Sequence, residues 1–357
     1  MRRTAPTKNG RTELQTETTQ TLMTAYALHV VQSEARIEGR SDQSVLDACL
    51  GAGVAFPYNC RSGECGECLA ELRSGEVREL PGADPAIFND THRARGMILA
   101  CLSYPCSDLS LSAQLRAESG PPIREFDTVV EKVRRHGSAI IEVVVRTDSL
   151  VDYRAGQYFD WVLPGISPDR SFSAANRPGS TRIEFHVRIY EQGRVSRHLA
   201  RDLMEGDILT LRGPFGAFQL SAEAHRPALL IAGGTGFAPI KAMLDEAFAH
   251  GSRRPLRFFY GARRAGDLYH LDTMSAWSSQ HANFSFIPAL SEEPAESAWT
   301  GERGLVTEVI VRQLTDGLGA EAYLCGPAPM IDAAVALLHR LGVDPSDIHY
   351  DKFTPAV

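Results

Sequence analysis

Four cysteines constrain this chain more than any other feature. Cys60, Cys65 and Cys68 fall in the run Pro57-Tyr58-Asn59-Cys60-Arg61-Ser62-Gly63-Glu64-Cys65-Gly66-Glu67-Cys68, and Cys101 follows Leu99-Ala100. Three thiolates from one tight loop and a fourth from a later strand have the spacing of a [2Fe-2S] site, whose two irons need four converging thiolates. Gly63 and Gly66 let the loop fold closely round such a core, because they accept backbone angles that a side chain forbids and bring amide N–H groups toward sulfur. Cys65-x2-Cys68 alone also fits one knuckle of a structural zinc site. Zinc, however, usually draws on a second close pair, and Cys101 has only Cys106, five residues on. A disulfide framework fits worse, since the count of seven cysteines is odd and no secretory signal stands ahead of them. Cys49, Cys106 and Cys325 are left as small, partly buried hydrophobes.

One cluster module fills a minor part of 357 residues, and ordinary domain sizes point to two or three units in all. With 43% hydrophobic and 23% charged residues the composition is that of a globular protein, and no apolar run approaches the roughly 20 residues of a membrane span. The net charge of -7 argues against nucleic acid, which asks for a basic face. Residues 1–23, rich in threonine and without apolar periodicity, read as a disordered tail.

From Ala25 the pattern reads strand (Ala25–Val31), strand (Ala35–Gly39), helix (Ser44–Ala52) and cysteine loop, then strands at Leu69–Arg73, Met97–Ser103 and Leu109–Ser112. Asp42 and Ser44 are candidate N-caps, and Gly51 and Gly53 end the helix. The cysteine run in this order resembles the plant-type ferredoxins, which implies a β-grasp fold over residues 24–115 with Cys60, Cys65, Cys68 and Cys101 as cluster ligands. The stretch Arg116-Ala117-Glu118-Ser119-Gly120-Pro121-Pro122 then breaks every periodicity, as a linker does.

Beyond it, Phe126–Val130, Ala139–Val145, Tyr158–Val162, Arg182–Arg188, Ile208–Arg212 and Ala217–Leu220 read as short strands with turn residues between, a small antiparallel β-barrel over 123–224. One helix near Val195–Asp202 interrupts them. From Ala228 strands and helices alternate to the end of Ala328–Leu341, which predicts a parallel α/β nucleotide-binding domain over 226–357. The fold class is thus α+β and α/β, in several domains.

In the barrel, Arg170-Ser171-Phe172-Ser173 stands at a strand position, Gly193-Arg194-Val195-Ser196 stands where a helix begins, and His186-Val187-Arg188 lies on the neighbouring strand. Taken singly, Arg-x-Phe-Ser is more often an exposed charge beside a packed ring. Set between a ferredoxin and an α/β domain, these motifs resemble the flavin site of the ferredoxin-NADP reductase superfamily. The resemblance implies Phe172 packed on the isoalloxazine, Ser173 hydrogen-bonding near flavin N5, and Arg170 neutralising the pyrophosphate with help from Arg188. Gly193 and Ser196 offer donors at a helix N-terminus, where the macrodipole favours anions.

In the last domain a buried strand runs through Gly233-Gly234-Thr235-Gly236 into a helix, so that a phosphate can sit on the helix end. This is not the GxGxxG fingerprint, and a glycine turn alone is often only a tight connection. The same superfamily has this form, with the threonine (here Thr235) beside the nicotinamide. Cys325-Gly326-Pro327 matches its second motif, which implies Cys325 near nicotinamide C4. His349-Tyr350-Asp351-Lys352-Phe353 resembles its terminal segment: Phe353 would cover the flavin face, and Asp351 stands where the family usually has glutamate. After the second strand, Arg263 and Arg264 suit a 2′-phosphate while Asp267 repels one, and NADH is the expected nucleotide.

The order of the three modules over residues 24–357 resembles the reductase component of bacterial multicomponent monooxygenases with di-iron hydroxylases. That implies an NADH-dependent oxidoreductase in which electrons pass from NADH through FAD and the [2Fe-2S] cluster to a hydroxylase docked at the ferredoxin domain. Ser173, Cys325, Asp351 and Phe353 are its implied catalytic residues. A cytoplasmic bacterial monomer is expected. A reductase for a Rieske dioxygenase, or a glucoseen-type deoxysugar reductase, stays open, because acceptor choice lies in the surface shape of the ferredoxin domain.

Overall fold

The structure, a computed structural model, describes residues 24–118, 120–166, 168–190, 193–221, 225–314 and 319–354, without the side chain of Arg194. The predicted tail over 1–23 lies outside the described residues.

The N-terminal unit is a five-stranded sheet ordered Ile37–Arg40, Ala25–Val30, Leu109–Ser112, Leu69–Ser74, Met97–Leu99. Ala25–Val30 pairs in parallel with Leu109–Ser112, and the other neighbours are antiparallel. Helix Val45–Gly51 lays Val45, Leu46, Ala48 and Cys49 on this sheet, and Ser44 caps it by accepting from Asp47 N at 3.0 Å. The strand expected over Met97–Ser103 is in fact two, Met97–Leu99 and Ser103–Pro105. Between them the backbone turns, with Leu102 N donating to Leu99 O at 3.0 Å and Ala100 N donating to Cys68 O at 3.1 Å. That turn swings Cys101 toward the cysteine loop.

The second unit is a six-stranded antiparallel sheet ordered Arg170–Ser173, Tyr158–Val162, Ile208–Phe215, Arg124–His136, Ile140–Arg146, Arg182–Arg188. A bridge between Ala174 and Phe185 joins its two ends into a barrel. Trp161, Phe159, Phe185 and Val143 fill the interior without exposure. Ala217–Leu220 is not the strand its sequence predicts. Gly216 turns the chain with φ 86°, and Ala217 N donates to the Asn59 side chain instead of to a ladder.

The third unit is a six-stranded parallel sheet ordered Glu302–Arg303, Phe284–Leu290, Leu256–Ala262, Ala228–Gly233, Glu321–Pro327, Ile348–Phe353. Every residue of Ala228–Gly233 is buried, as helices on both faces of a parallel sheet require. The chain order reverses between Ala228–Gly233 and Glu321–Pro327, and ligands bind at such a switch point, beyond the carboxyl ends of the strands. The terminal segment Ile348–Phe353 is the sheet's edge strand beside that switch point.

Candidate functional site

The cysteine loop is built from left-handed backbone. Arg61, Gly63 and Gly66 have φ of 58°, 85° and 74°, and a Cβ on Gly63 would meet Leu102 Cδ1 at 2.5 Å. The winding turns the amides of Ser62 and Glu64 onto Cys60 Sγ, both at 3.4 Å. The Cys65 thiol and these amides hold Cys60 well below the ordinary thiol range against the cost of burial. Cys60 pairs with Cys65 and Cys68 with Cys101. Among the described residues no three cysteine sulfurs come within 4.8 Å of one another. Two separated pairs fit two irons. They do not fit one zinc, around which four sulfurs at about 2.3 Å would crowd together. Cys106 lies exposed and outside both pairs, so it is no buried hydrophobe.

At the barrel edge, Phe172 packs on Trp161 with ring centroids 4.7 Å apart, and Ser171 Oγ donates to Asp160 Oδ1 at 2.6 Å. Ser173 is buried. Arg170 donates to the carbonyls of Pro168 and Asp169. Arg188 has no carboxylate partner among the described residues. Its guanidinium lies over the Tyr190 ring at 5.7 Å and 3.1 Å from where a Cβ on Gly234 would stand. Helix Arg194–Asp202 starts at Gly193, which has no side chain to cap it, and Ser196 Oγ accepts from Tyr190 N at 3.0 Å. A guanidinium with no carboxylate partner among the described residues, beside uncapped helix N–H groups, fits a pyrophosphate. Val187 and Val195 point into the barrel core and leave only backbone for a ligand. The His186 imidazole is likewise occupied, 2.7 Å from Glu184 Oε1 and 3.0 Å from the Tyr269 hydroxyl.

In the third unit, Gly236 packs so closely on the Cys325 carbonyl that no side chain fits, and a Cβ on Gly233 would lie 2.6 Å from Met330 Sδ. The Gly234-Thr235-Gly236 turn and Cys325-Gly326-Pro327 therefore form one platform. Helix Phe237–Ala249 opens from it without a side-chain cap, as a nucleotide phosphate requires. Cys325 is fully buried opposite Asp351 in the ladder, and burial, then Asp351, push its thiol far above the ordinary range. Burial, Cys60 and Glu64 push Asp351 up to about 7. Phe353 is half-buried beside Pro327. Arg263 is exposed, 3.7 Å from Glu292, while Asp267 accepts from Arg264 N at 3.1 Å.

Two sets of contacts between units escaped the sequence reading. The first joins the cysteine loop to the barrel: Tyr158 Oη donates to Asn59 O at 2.9 Å, and Arg61 pairs with Asp160 at 2.8 Å. A lone aspartate inside Tyr158-Phe159-Asp160-Trp161-Val162 was its signal, since a charge in an apolar strand needs a partner. The second joins barrel to nucleotide unit. Glu142, Glu184 and His186 from the barrel meet His270, with donor atoms within 4.8 Å of one another. Lys241 pairs with Glu184 at 3.1 Å and His136 with Glu142 at 2.7 Å. No local motif marks this group, because its members come from five separate segments.

A cluster loop, a flavin strand and a nucleotide platform meeting at one junction define an electron-transferring flavin and iron–sulfur oxidoreductase. Comparison with known proteins agrees. Residues 28–106 match the 2Fe-2S iron-sulfur cluster binding domain, 130–220 the oxidoreductase FAD-binding domain, and 230–336 the oxidoreductase NAD-binding domain. The electron transfer component of xylene/toluene monooxygenase from Pseudomonas putida is 38% identical, over 87% of this chain and 89% of its own. The reductase component of phenol 2-monooxygenase from Pseudomonas sp. (strain CF600) is 33% identical, over 90% and 92%. The crystal structure of a cytochrome P450 reductase from Amycolatopsis superposes with a TM-score of 0.83 at 32% identity, covering 92% of this chain and 99% of that one. The chain belongs to the ferredoxin-NADP reductase superfamily, in the branch with an N-terminal plant-type [2Fe-2S] ferredoxin, and its cofactors are the cluster, FAD and NAD. Among the described residues no helix is long and apolar enough to cross a membrane.

Proposed function

We propose that this protein is the NADH-dependent reductase of a multicomponent monooxygenase, passing single electrons to a di-iron hydroxylase that docks at residues 24–115. The observation that carries the reading is the junction itself: Asn59, next to Cys60 in the cluster loop, donates to Tyr350 O of the nucleotide unit at 3.3 Å, and the following residue, Asp351, faces Cys325 on the platform. When bound, FAD would supply two-electron chemistry, matched to the single hydride that NADH gives up, and the cluster one-electron chemistry, so between them they would convert a two-electron donor into a one-electron source.

The residues divide that work. Cys60, Cys65, Cys68 and Cys101 hold the cluster, and the Ser62 and Glu64 amides orient toward its sulfur. Arg170, Arg188 and the uncapped helix at Gly193 bind the pyrophosphate, with Ser171, Phe172 and Ser173 along the ring edge. Gly234, Thr235, Gly236, Gly326 and Pro327 receive the nucleotide, whose ring lies toward Cys325 and Phe353. Asp351, held near neutrality by burial, supplies or takes a proton at that face. Asp267 disfavours a 2′-phosphate and selects NADH. The units span 123–224 and 226–357 beyond the ferredoxin, and the chain works as a cytoplasmic monomer.

The test is composition followed by acceptor. The purified protein should carry FAD and about two irons with acid-labile sulfide, and should support NADH oxidation by a di-iron hydroxylase. Stoichiometric zinc without sulfide overturns the reading. A second reading, an oxygenase of another kind as acceptor, is favoured by likeness to the ferredoxin reductase of carbazole 1,9a-dioxygenase, with TM-score 0.75 and 29% identity over 93% of this chain and 99% of that one. Side-by-side assays with each oxygenase type separate the two.

A further inference from the structure

Arg61 follows the first cysteine of the cluster loop, yet its guanidinium leaves the loop and enters the barrel. Its backbone is left-handed, with φ 58°, a conformation a long side chain seldom adopts without compensation. The compensation is threefold. One guanidinium nitrogen donates to Asp160 Oδ2 at 2.8 Å and another to Asp47 Oδ1 at 3.3 Å, while the plane lies 3.9 Å over the Phe215 ring. Asp160 has only 5% of its side chain exposed. Its other oxygen accepts from Ser171 in the flavin motif at 2.6 Å.

Two side chains thus connect Cys60 to Ser171 without a gap. Around them the seam is tight. Asn59, one residue before Cys60, accepts from Tyr158 Oη and Ala217 N and reaches Tyr350 O at 3.3 Å. Tyr158 and Phe215 of the barrel share one apolar core with Tyr58, Leu46 and Leu102 of the first unit. That core alone would hold the units together, since apolar residues usually stabilise a seam as well as a buried ion pair does. A planar guanidinium, fixed by two carboxylates and a ring, adds direction: it permits one register of loop against strand.

We propose that Arg61 is a positioning residue that sets how the cluster loop sits against the flavin-motif strand, and so sets the contact through which electrons leave the flavin for the cluster. The inference rests on the electron path proposed above. Arg61 takes no part in the balance: each electron the cluster gains is one the flavin loses, NADH supplies both, and no bond is made or broken at the guanidinium. Arg212 lies 3.2 Å from Asp160 and keeps that carboxylate paired when Arg61 is replaced. The variant therefore loses the latch without exposing a bare buried charge.

The test uses the full chain loaded with FAD and cluster, mixed anaerobically with NADH, as wild type, Arg61→Met, Arg61→Lys and Asp160→Asn. In Arg61→Met, flavin reduction should stay within about twofold of wild type while cluster reduction slows at least about tenfold. Hydrogen exchange should rise together at residues 58–62 and 158–162. Arg61→Lys should recover part of the rate, and Asp160→Asn, which reaches the same pair from the other side, should slow the same step. Cluster reduction at the wild-type rate with unchanged exchange overturns the proposal. So does a parallel fall in flavin and cluster reduction, which marks a general loss of fold. If Arg61→Met loses its cluster on purification, Asp160→Asn decides by the same two criteria. A wild type that reduces its flavin and never its cluster rejects the electron path itself, a result distinct from either.

Discussion

The barrel has two seams, and they are held by opposite chemistry. Toward the cluster loop it offers Asp160 and Tyr158 to Arg61 and Asn59, a few directed bonds over an apolar core. Toward the nucleotide unit it offers Glu142, Glu184, His136 and His186 to His270 and Lys241, a group built largely of titratable pairs. Arg61 keeps its charge at any working pH and holds Asp160 ionised, whereas imidazoles are the side chains that titrate near neutrality. The first seam fixes a geometry regardless of conditions; the second depends on them. A reductase asks for this split if electron transfer needs a constant distance while nucleotide must enter and leave.

The largest effect should come from removing the cluster. Cys101→Ser should abolish the iron–sulfur absorbance and keep FAD, because the cysteine belongs to the first unit alone. Cys106→Ala should keep both, since its thiol is exposed and away from the two pairs. The reverse pattern in metal analysis would break the ligand assignment. Next comes Lys241→Met, which strips Glu184 of its nearest cation and should cost about 3 kcal/mol in chemical denaturation. A change within error would mean that His186 and His270 carry Glu184 unaided.

Acid separates the seams more finely. Burial disfavours the charged imidazole and holds His186 down to about 4, so below its ordinary range near 6.5 the unfolded chain takes up a proton that the folded chain refuses. Burial pushes Glu184 up, but His186 and Lys241 outweigh it and leave it at about 2; that contribution disappears as pH falls from the ordinary carboxylate range. Both signs agree. Stability should decline from about pH 6.5 downward, with hydrogen exchange rising first around Tyr269 and His270. At the other seam, burial of Asp160 is outweighed by Arg61 and Ser171, so it stays ionised. Exchange at residues 58–62 rising first would refute the contrast.

Asp351 gives a smaller effect, at the junction of all three units. Its carboxyl lies at about 7, so flavin reduction by NADH should show an inflection near neutrality that Asp351→Asn removes. A profile unchanged by the substitution would take the proton role from this residue. The smallest expected difference is between nucleotides: NADH should reduce the flavin faster than NADPH, and Asp267→Ala should narrow the gap. Equal rates in the wild type would turn attention to Arg263, whose side chain is exposed.

The two seams were unequally legible from sequence. Strands with clean alternation or dense apolar runs were read to the residue, as at Tyr158–Val162, Arg182–Arg188 and Leu109–Ser112. Ala217–Leu220 misled because its apolar residues pack across a seam, with Phe218 in the core of the nucleotide unit. The cluster and nucleotide motifs were legible because each is one short run whose glycines are required by local geometry. The pairings between units were not. Arg61 and Asp160 stand 99 positions apart, and nothing within either run names the other. Asp160 announced a missing partner, and only the fold supplied it.

In the proposed relay electrons leave through the cluster alone. The decisive experiment gives Cys101→Ser, with FAD bound, three acceptors in turn: ferricyanide, cytochrome c and the cognate oxygenase. NADH oxidation by ferricyanide should stay near the wild-type rate, since that acceptor draws on the flavin, and transfer to the other two should be lost. Oxygenase reduction by Cys101→Ser at the wild-type rate would contradict the relay.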